Sequence, residues 1–315
     1  MRGAIRLLAL LLSLLAATAA QADKRIALTF DDIPRARGAF FTPDERAERL
    51  IAALKVAKVR QAAFFLNPAK LETADGQGGE ARIAAYVAAG HVIANHSNTH
   101  TGLEIQSADE FLTDVDAAEL WLKGRPGYRP WLRFPYLFEG GTDKNKRDAV
   151  RTGLAARGMR NAYVTADGSD WWLEDEVRKA VAAGQTLDME QLRRLYIRMH
   201  VSGAESADDL AVKVLGRSPA HVMLMHETDL AAMFLPDLVA ELRRHGWTII
   251  TADAAYRDPL KRAFPDVPMA RGDLISALAV ERKVDWPLWP IWIHPGMADP
   301  IFKSRVVKKP EKVDP

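Results

Sequence analysis

Short, continuous apolar runs alternate with stretches of helical period along most of this chain. Seven runs read as strands: residues 26–30, 62–66, 91–95, 131–134, 160–165, 221–225 and 247–251. Most are apolar throughout rather than every second residue, which is the pattern of strands covered on both faces. The stretches between them carry helix-end signals. Thr42-Pro43-Asp44-Glu45 combines an N-cap, a proline at the first helical position and a glutamate that reaches back, and Leu50, Ile51 and Leu54 continue on one face. Ser107-Ala108-Asp109-Glu110 opens a second helix, with Phe111, Val115, Ala118 and Leu122 at helical spacing and Gly124 at its end. Gly90 and Gly158 read as left-handed helix stops.

This alternation predicts an α/β fold. The expected form is a distorted (β/α)7-type barrel of parallel strands, with an open doubly wound sheet as the alternative. Polar candidates recur after at least five different strands, and that favours the barrel. Its strand ends form one ring, whereas distant strands of an open sheet cannot share a site. A single catalytic domain is expected over residues 23–255. Residues 172–220 read as a helical insertion, either a lid or a packing layer. Residues 256–315 read as a Pro- and Trp-rich extension packed on the barrel, frayed from Lys303 onward.

Two short strings stand out at strand ends. Asp31-Asp32 follows Ile26–Phe30, and His96-Ser97-Asn98-Thr99-His100 follows His91–Asn95. His96 and His100 share a face if their segment is helical, or converge across a tight loop. One carboxylate and two imidazoles make a three-ligand set that leaves metal positions open, and the adjacent carboxylate is then free to act as a base. Three further strand ends add Arg133-Phe134-Pro135-Tyr136, Asp167-Gly168-Ser169-Asp170-Trp171 and His226.

Composition bounds the setting. Residues 1–22 read as a secretory signal: Arg2 and Arg6 lead an apolar run from Leu7 to Ala20, and Ala20-Gln21-Ala22 is a small-x-small cleavage site. The run is too short for a comfortable membrane span, so no stable membrane insertion is expected after cleavage. The chain has no cysteine, which excludes disulfides and a lipid-modified N-terminal cysteine. Removing residues 1–22 takes two of the 43 basic residues and none of the 41 acidic ones, so the mature charge is near zero. That balance excludes a global nucleic-acid footprint. A periplasmic or secreted protein is expected, and the sequence leaves its oligomeric state open.

Taken together, the motifs resemble those of the polysaccharide deacetylases of the NodB-homology type, carbohydrate esterase family 4. The match runs over about residues 25–255 and in order: Thr29-Phe30-Asp31-Asp32, His96-Ser97-x-x-His100, Arg133-Phe134-Pro135-Tyr136, Asp167-x-x-Asp170-Trp171 and Leu224-Met225-His226. The resemblance implies a barrel of fewer than eight strands and a set of roles. Asp32, His96 and His100 would hold a divalent metal, zinc by default, with cobalt, nickel or iron also suited to such a set. Asp31 would be the general base, tuned by Arg133. His226 would be the general acid, oriented by Asp170, with Asp167 able to share that task. The backbone N–H of Tyr136 would help to stabilise the oxyanion. Trp171, Leu224 and Pro135 would line the substrate pocket. The implied substrate is an N-acetylated polysaccharide or oligosaccharide. An O-acetyl esterase acting on a decorated glycan such as xylan, and an inactive carbohydrate-binding protein, are the competing readings.

One position departs from the family pattern. Ile33 stands where a glycine usually follows the aspartates, which predicts an apolar side chain near the mouth. The remaining signals have plainer explanations. His91, His200, His221, His245 and His294 read as structural histidines. Trp286, Trp289 and Trp292 read as a barrel plug before a sugar platform. Glu139-Gly140-Gly141 reads as a turn or a substrate loop.

Overall fold

The computed structural model describes residues 23–267, 270–285 and 295–308. The expected signal segment, His294 and the tryptophans at 286, 289 and 292 lie outside them. The main sheet is built from β1 (Arg25–Ile33), β2 (Ala63–Leu66), β3 (Val92–Asn95), β4 (Tyr128–Leu132), β6 (Arg160–Asn161), β7 (Ala166–Asp167), β8 (Ala220–His226) and β9 (Thr248–Ile249). Its strands run in the order β6-β4-β3-β2-β1-β8-β7, and every pairing is parallel.

The two ends of that order are halves of one extended stretch. Ala162 N–H bonds Leu132 O on the β4 side, and Thr165 N–H bonds Val222 O on the β8 side. Residues 160–167 therefore span from β4 to β8 and curl the sheet toward closure. This is the barrel, not the open sheet. The run read as a single strand over 160–165 splits because it changes partners halfway. β9 pairs with Arg25 and Ile26 on the edge of β1 that β2 takes from Thr29 onward.

The strands form where apolar runs predict them. Ile26, Leu28, Phe30, Phe64 and Leu66 are fully buried, and each such side chain contributes about 1.5–3 kcal/mol relative to exposure. Phe64 stacks on Phe30 at 5.1 Å and on Tyr86 at 4.1 Å. Helix α1 (Pro43–Val56) starts at a capping box in which Glu45 accepts the Thr42 N–H at 2.8 Å and Thr42 Oγ1 accepts the Glu45 N–H at 3.3 Å. The same device opens the helix Ala108–Leu122 at Ser107.

Ile33 is only 1% exposed and pairs with Leu66. Its side chain completes the core and does not reach the mouth, contrary to the sequence expectation. The helical stretch before β8 forms two helices, Asp170–Ala182 and Met189–Leu215. The longer one buries Leu192, Leu195, Tyr196, Met199 and His200, so it is a packing layer rather than a lid. Glu139-Gly140-Gly141 is neither a turn nor a free loop. It lies in strand β5 (Phe138–Gly141), which pairs antiparallel with β10 (Ala270–Arg271).

Candidate active site

All five polar segments meet at the C-terminal ends of the barrel strands. β1 delivers Asp31 and Asp32, the loop after β3 delivers His96 and His100, and the segment after β4 delivers Arg133 and Tyr136. The turn after β7 delivers Asp170, and β8 ends on His226. The backbone is strained at the same places. Eight described non-glycine residues have positive φ, and five of them are Asp32, Ser97, His100, Tyr136 and Ser169. Left-handed backbone in such residues costs energy and persists where the surroundings over-determine it, so its clustering here marks a functional site.

Asp32, His96 and His100 each bring one ligand atom within 4.8 Å of the others. His96 and His100 converge across a tight loop and not along a helix. His96 Nδ1 lies 2.8 Å from the carbonyl of Arg133. A carbonyl only accepts, so Nδ1 carries the proton and the Nε2 lone pair faces inward. His96 Nε2 is 3.6 Å and His100 Nε2 2.9 Å from Asp32 Oδ1. That oxygen is buried and makes no well-directed hydrogen bond. A buried, orphaned carboxylate oxygen facing two imidazole nitrogens fits a divalent cation. Burial pushes the Asp32 carboxyl up. The contacts with His100 and His96, and the charges of Arg35 and Lys70, outweigh this and hold it well below the usual range.

Asp31, beside this set, is 2% exposed and receives Arg133 Nη1 on both oxygens, at 3.1 and 3.0 Å. Arg133 is itself fixed on every side. Its Nε donates to Ala162 O at 2.6 Å, and Nη2 donates to Thr29 Oγ1 at 3.1 Å and Tyr256 Oη at 3.0 Å. Asp31 Oδ2 lies 3.7 Å from His96 Nε2. A carboxylate pinned in this way presents its free lone pairs toward the three-ligand set.

On the adjacent strand β8, where His226 is the register partner of Asp31, Asp170 binds His226 twice. Oδ1 meets Nδ1 at 2.8 Å and Oδ2 accepts the backbone N–H at 2.7 Å. Burial alone would lower the His226 pKa, but the Asp170 charge and hydrogen bond reverse this, so the imidazolium persists above its ordinary range. Asp167 does not join the pair. Its carboxylate accepts the Ser169 N–H at 2.7 Å, and burial pushes its pKa up to about 6. Asp170 is therefore the partner of His226.

The segment after Phe134 carries Tyr136 at φ 56°. Its exposed ring stands edge-on to His100 at 4.7 Å. The tight turn is closed by Leu137 N–H on Phe134 O. Trp171 is 47% exposed, whereas Leu224 and Pro135 are buried.

Sequence reasoning did not single out Arg35, Lys70, Thr29 or Tyr256 as partners of these groups. Tyr256 falls in the stretch read as an extension, yet it is buried in the barrel and bonds Arg133. The structural histidines are explained by their contacts. His91 Nδ1 accepts the Ala62 N–H at 3.1 Å, and burial lowers its pKa to about 4. His221 lies between Asp208 and Thr165, and His245 faces Glu241.

The geometry brings two charge-paired groups, Asp31–Arg133 and His226–Asp170, and a candidate cation set to one barrel mouth. Residues 18–156 match the family model described as polysaccharide deacetylase. That span holds the first three motifs, and the structure adds the other two. The chitin deacetylase of the fungal pathogen Colletotrichum lindemuthianum aligns with a TM-score of 0.51 at 17% identity, over 75% of this chain and 89% of its own. A family 4 carbohydrate esterase from Streptomyces lividans, in complex with acetate, gives 0.49 at 19% identity, over 74% and 96%. A family 4 pseudoenzyme from Bacillus anthracis gives 0.49 at 18% identity, over 74% and 65%. At these identities the likeness concerns fold alone. No curated protein sequence matches the chain. The resemblance read from the motifs agrees with the family model over residues 18–156, and the fold is that of the chitin deacetylase structure, a distorted parallel barrel.

Proposed function

We propose that the protein is a metal-dependent hydrolase that removes acetyl groups from an N-acetylated carbohydrate. The observation that carries this reading is the convergence of Asp32, His96 and His100 at the same barrel mouth as the Arg133-held Asp31 and the Asp170-held His226. Asp32, His96 and His100 would hold the metal. When bound, a divalent ion lowers the pKa of water and polarises the acyl oxygen.

The protein groups do the rest. Asp31, held in place by Arg133, accepts the proton of the attacking water. The N–H of Tyr136 donates toward the oxygen on which charge develops. His226, kept protonated by Asp170, gives its proton to the departing nitrogen. Amide hydrolysis requires base and acid to stand in opposite protonation states at one pH. Trp171 offers an exposed face for a sugar ring, and Leu224 backs the pocket. A bell-shaped pH–rate profile follows. Zinc is the expected ion.

Acetate release from N-acetylated oligosaccharides, measured with and without chelator, tests the proposal. Chelation abolishes release, and Asp31→Asn lowers kcat/KM by about 10²–10⁴-fold. Release that survives either treatment refutes it. The same assay on O-acetylated xylan distinguishes an esterase, because the same groups cleave the weaker ester bond.

We also propose export, on the strength of residues 1–22. N-terminal sequencing of the mature protein is expected to begin at Asp23. A retained Met1 in the exported fraction would contradict this. No helix among the described residues is long and apolar enough to cross a membrane.

A further inference from the structure

The two oxygens of the Asp32 carboxylate have different surroundings. Arg35 Nη1 donates to Oδ2 at 2.8 Å. Oδ1 is buried, faces His100 Nε2 at 2.9 Å and makes no well-directed hydrogen bond. Arg35 belongs to none of the five motifs. The terminal torsion of an aspartate is broad, so the carboxylate turns readily when nothing holds it. A charge-assisted hydrogen bond to one oxygen removes that freedom and fixes where the other oxygen points. Hydrogen bonds behind a ligating carboxylate tune metal affinity in this way.

Arg35 is itself fixed, by an ionic cluster outside the motifs. Its N–H donates to Glu227 Oε2 at 3.2 Å, and its carbonyl accepts Arg46 Nη2 at 2.8 Å. Arg46 Nη1 donates to Asp229 Oδ1 at 3.3 Å, and its Nη2 lies 3.8 Å from Glu227 Oε2. Asp229 Oδ2 accepts the N–H groups of Phe40 and Phe41 at 2.7 and 3.1 Å, and Glu227 Oε1 accepts the Tyr86 hydroxyl at 2.6 Å. Arg46, Glu227 and Asp229 are at most 1% exposed. Charges buried in this way are a poor source of stability, because desolvation offsets their attraction. Here they have a positional result. They tie residues 35–41 to Glu227 and Asp229, just past His226, and so fix the backbone from which the Arg35 side chain reaches Asp32. Lys70 is the internal comparison. Its Nζ lies 3.7 Å from Asp32 Oδ1, an ion pair too long to orient the carboxylate. Both cations oppose a further positive charge at Asp32, but only Arg35 holds the ligand in place.

We propose that Arg35, fixed by Arg46, Glu227 and Asp229, is a positioning residue that keeps Oδ1 of Asp32 turned toward the histidine nitrogens and so strengthens metal binding. The inference rests on the reading of Asp32, His96 and His100 as the metal ligands. The test is the zinc affinity of the full-length chain, measured by competition with a chromogenic chelator at low and high salt, for wild type, Arg35→Ala and Lys70→Ala. Alanine at residue 35 keeps both backbone bonds, and circular dichroism confirms that each variant is folded. Arg35→Ala is expected to bind zinc about 10–100-fold more weakly. Lys70→Ala removes a like charge and no orienting bond. It is expected to bind about two- to fivefold more tightly at low salt, with the gain fading as salt rises. With cobalt in place of zinc, the visible absorption reports ligand geometry: it is expected to change in Arg35→Ala and to match wild type in Lys70→Ala. Zinc bound by Arg35→Ala as tightly as by wild type, or more tightly in the manner of Lys70→Ala, overturns the proposal, since the guanidinium would then act as a charge and nothing more. A wild-type chain that binds no zinc overturns the metal reading itself, and this inference with it.

Discussion

At the residue scale, the site works by pairing each reactive group with one fixed partner of opposite charge. Arg133 is the pivot. It touches Asp31 through its side chain and His96 through its carbonyl, so one residue orients both the proposed base and a proposed ligand. Asp170 plays the same part for His226 through two contacts. The sign of its effect is definite. Asp170 raises the His226 pKa, so the proposed proton donor is present below that raised value and lost as pH climbs through it. Asp170→Asn removes the charge that raises it. The alkaline limb of the pH–rate profile is then expected to move to lower pH, with the acid limb in place. An alkaline limb unmoved by Asp170→Asn would show that another group supplies the proton. Much of this was legible in the sequence, because Asp31, Asp32, His96, His100, Arg133, Asp170 and His226 each stand at or within a few residues of the end of an apolar run. Arg35 and Lys70 were not. They act through the three-dimensional position of Asp32, and nothing in Ile33-Pro34-Arg35 or Pro68-Ala69-Lys70 marks them as neighbours.

At the scale of elements, the long helix Met189–Leu215 (α6, counting helices in order from α1) supports the turn that carries Asp170. Its His200 packs against Gly168. A Cβ at Gly168 would lie 2.6 Å from the His200 ring and 2.9 Å from its backbone. Only glycine lets the helix approach that closely, and the approach fixes Ser169 and Asp170 beneath His226. Gly168→Ala is expected to destabilise the fold by about 1–3 kcal/mol. It should also lower kcat more than it raises KM, since the turn positions the acid rather than the sugar. Urea unfolding and steady-state kinetics check both, and an unchanged kcat would remove this helix from the account. The sequence foretold helical structure here but left open a lid. Its buried face, from Leu192 through His200, decides for packing. The strand over 160–165 was legible as an apolar run, but its change of partner was not. That change depends on β4 and β8 standing close together, a contact between residues far apart in the chain. Ile33 failed for a similar reason. A family position that usually holds glycine suggested an open loop, whereas the pairing of β1 with β2 continues to Ile33 and takes its side chain inside.

At the scale of the molecule, the barrel gathers groups from residue 31 to residue 226 at one end, and Tyr256 braces them from beyond the last strand. Its central consequence is the proposed metal site, where the buried Oδ1 of Asp32 makes no well-directed hydrogen bond. The most direct test is titration of metal-free protein with zinc, following bound metal and acetate release together. One equivalent is expected to bind and to restore release in step, and Asp32→Asn, His96→Ala or His100→Ala to lose both. Full acetate release from the metal-free protein, or zinc bound equally well by all three variants, would contradict the account.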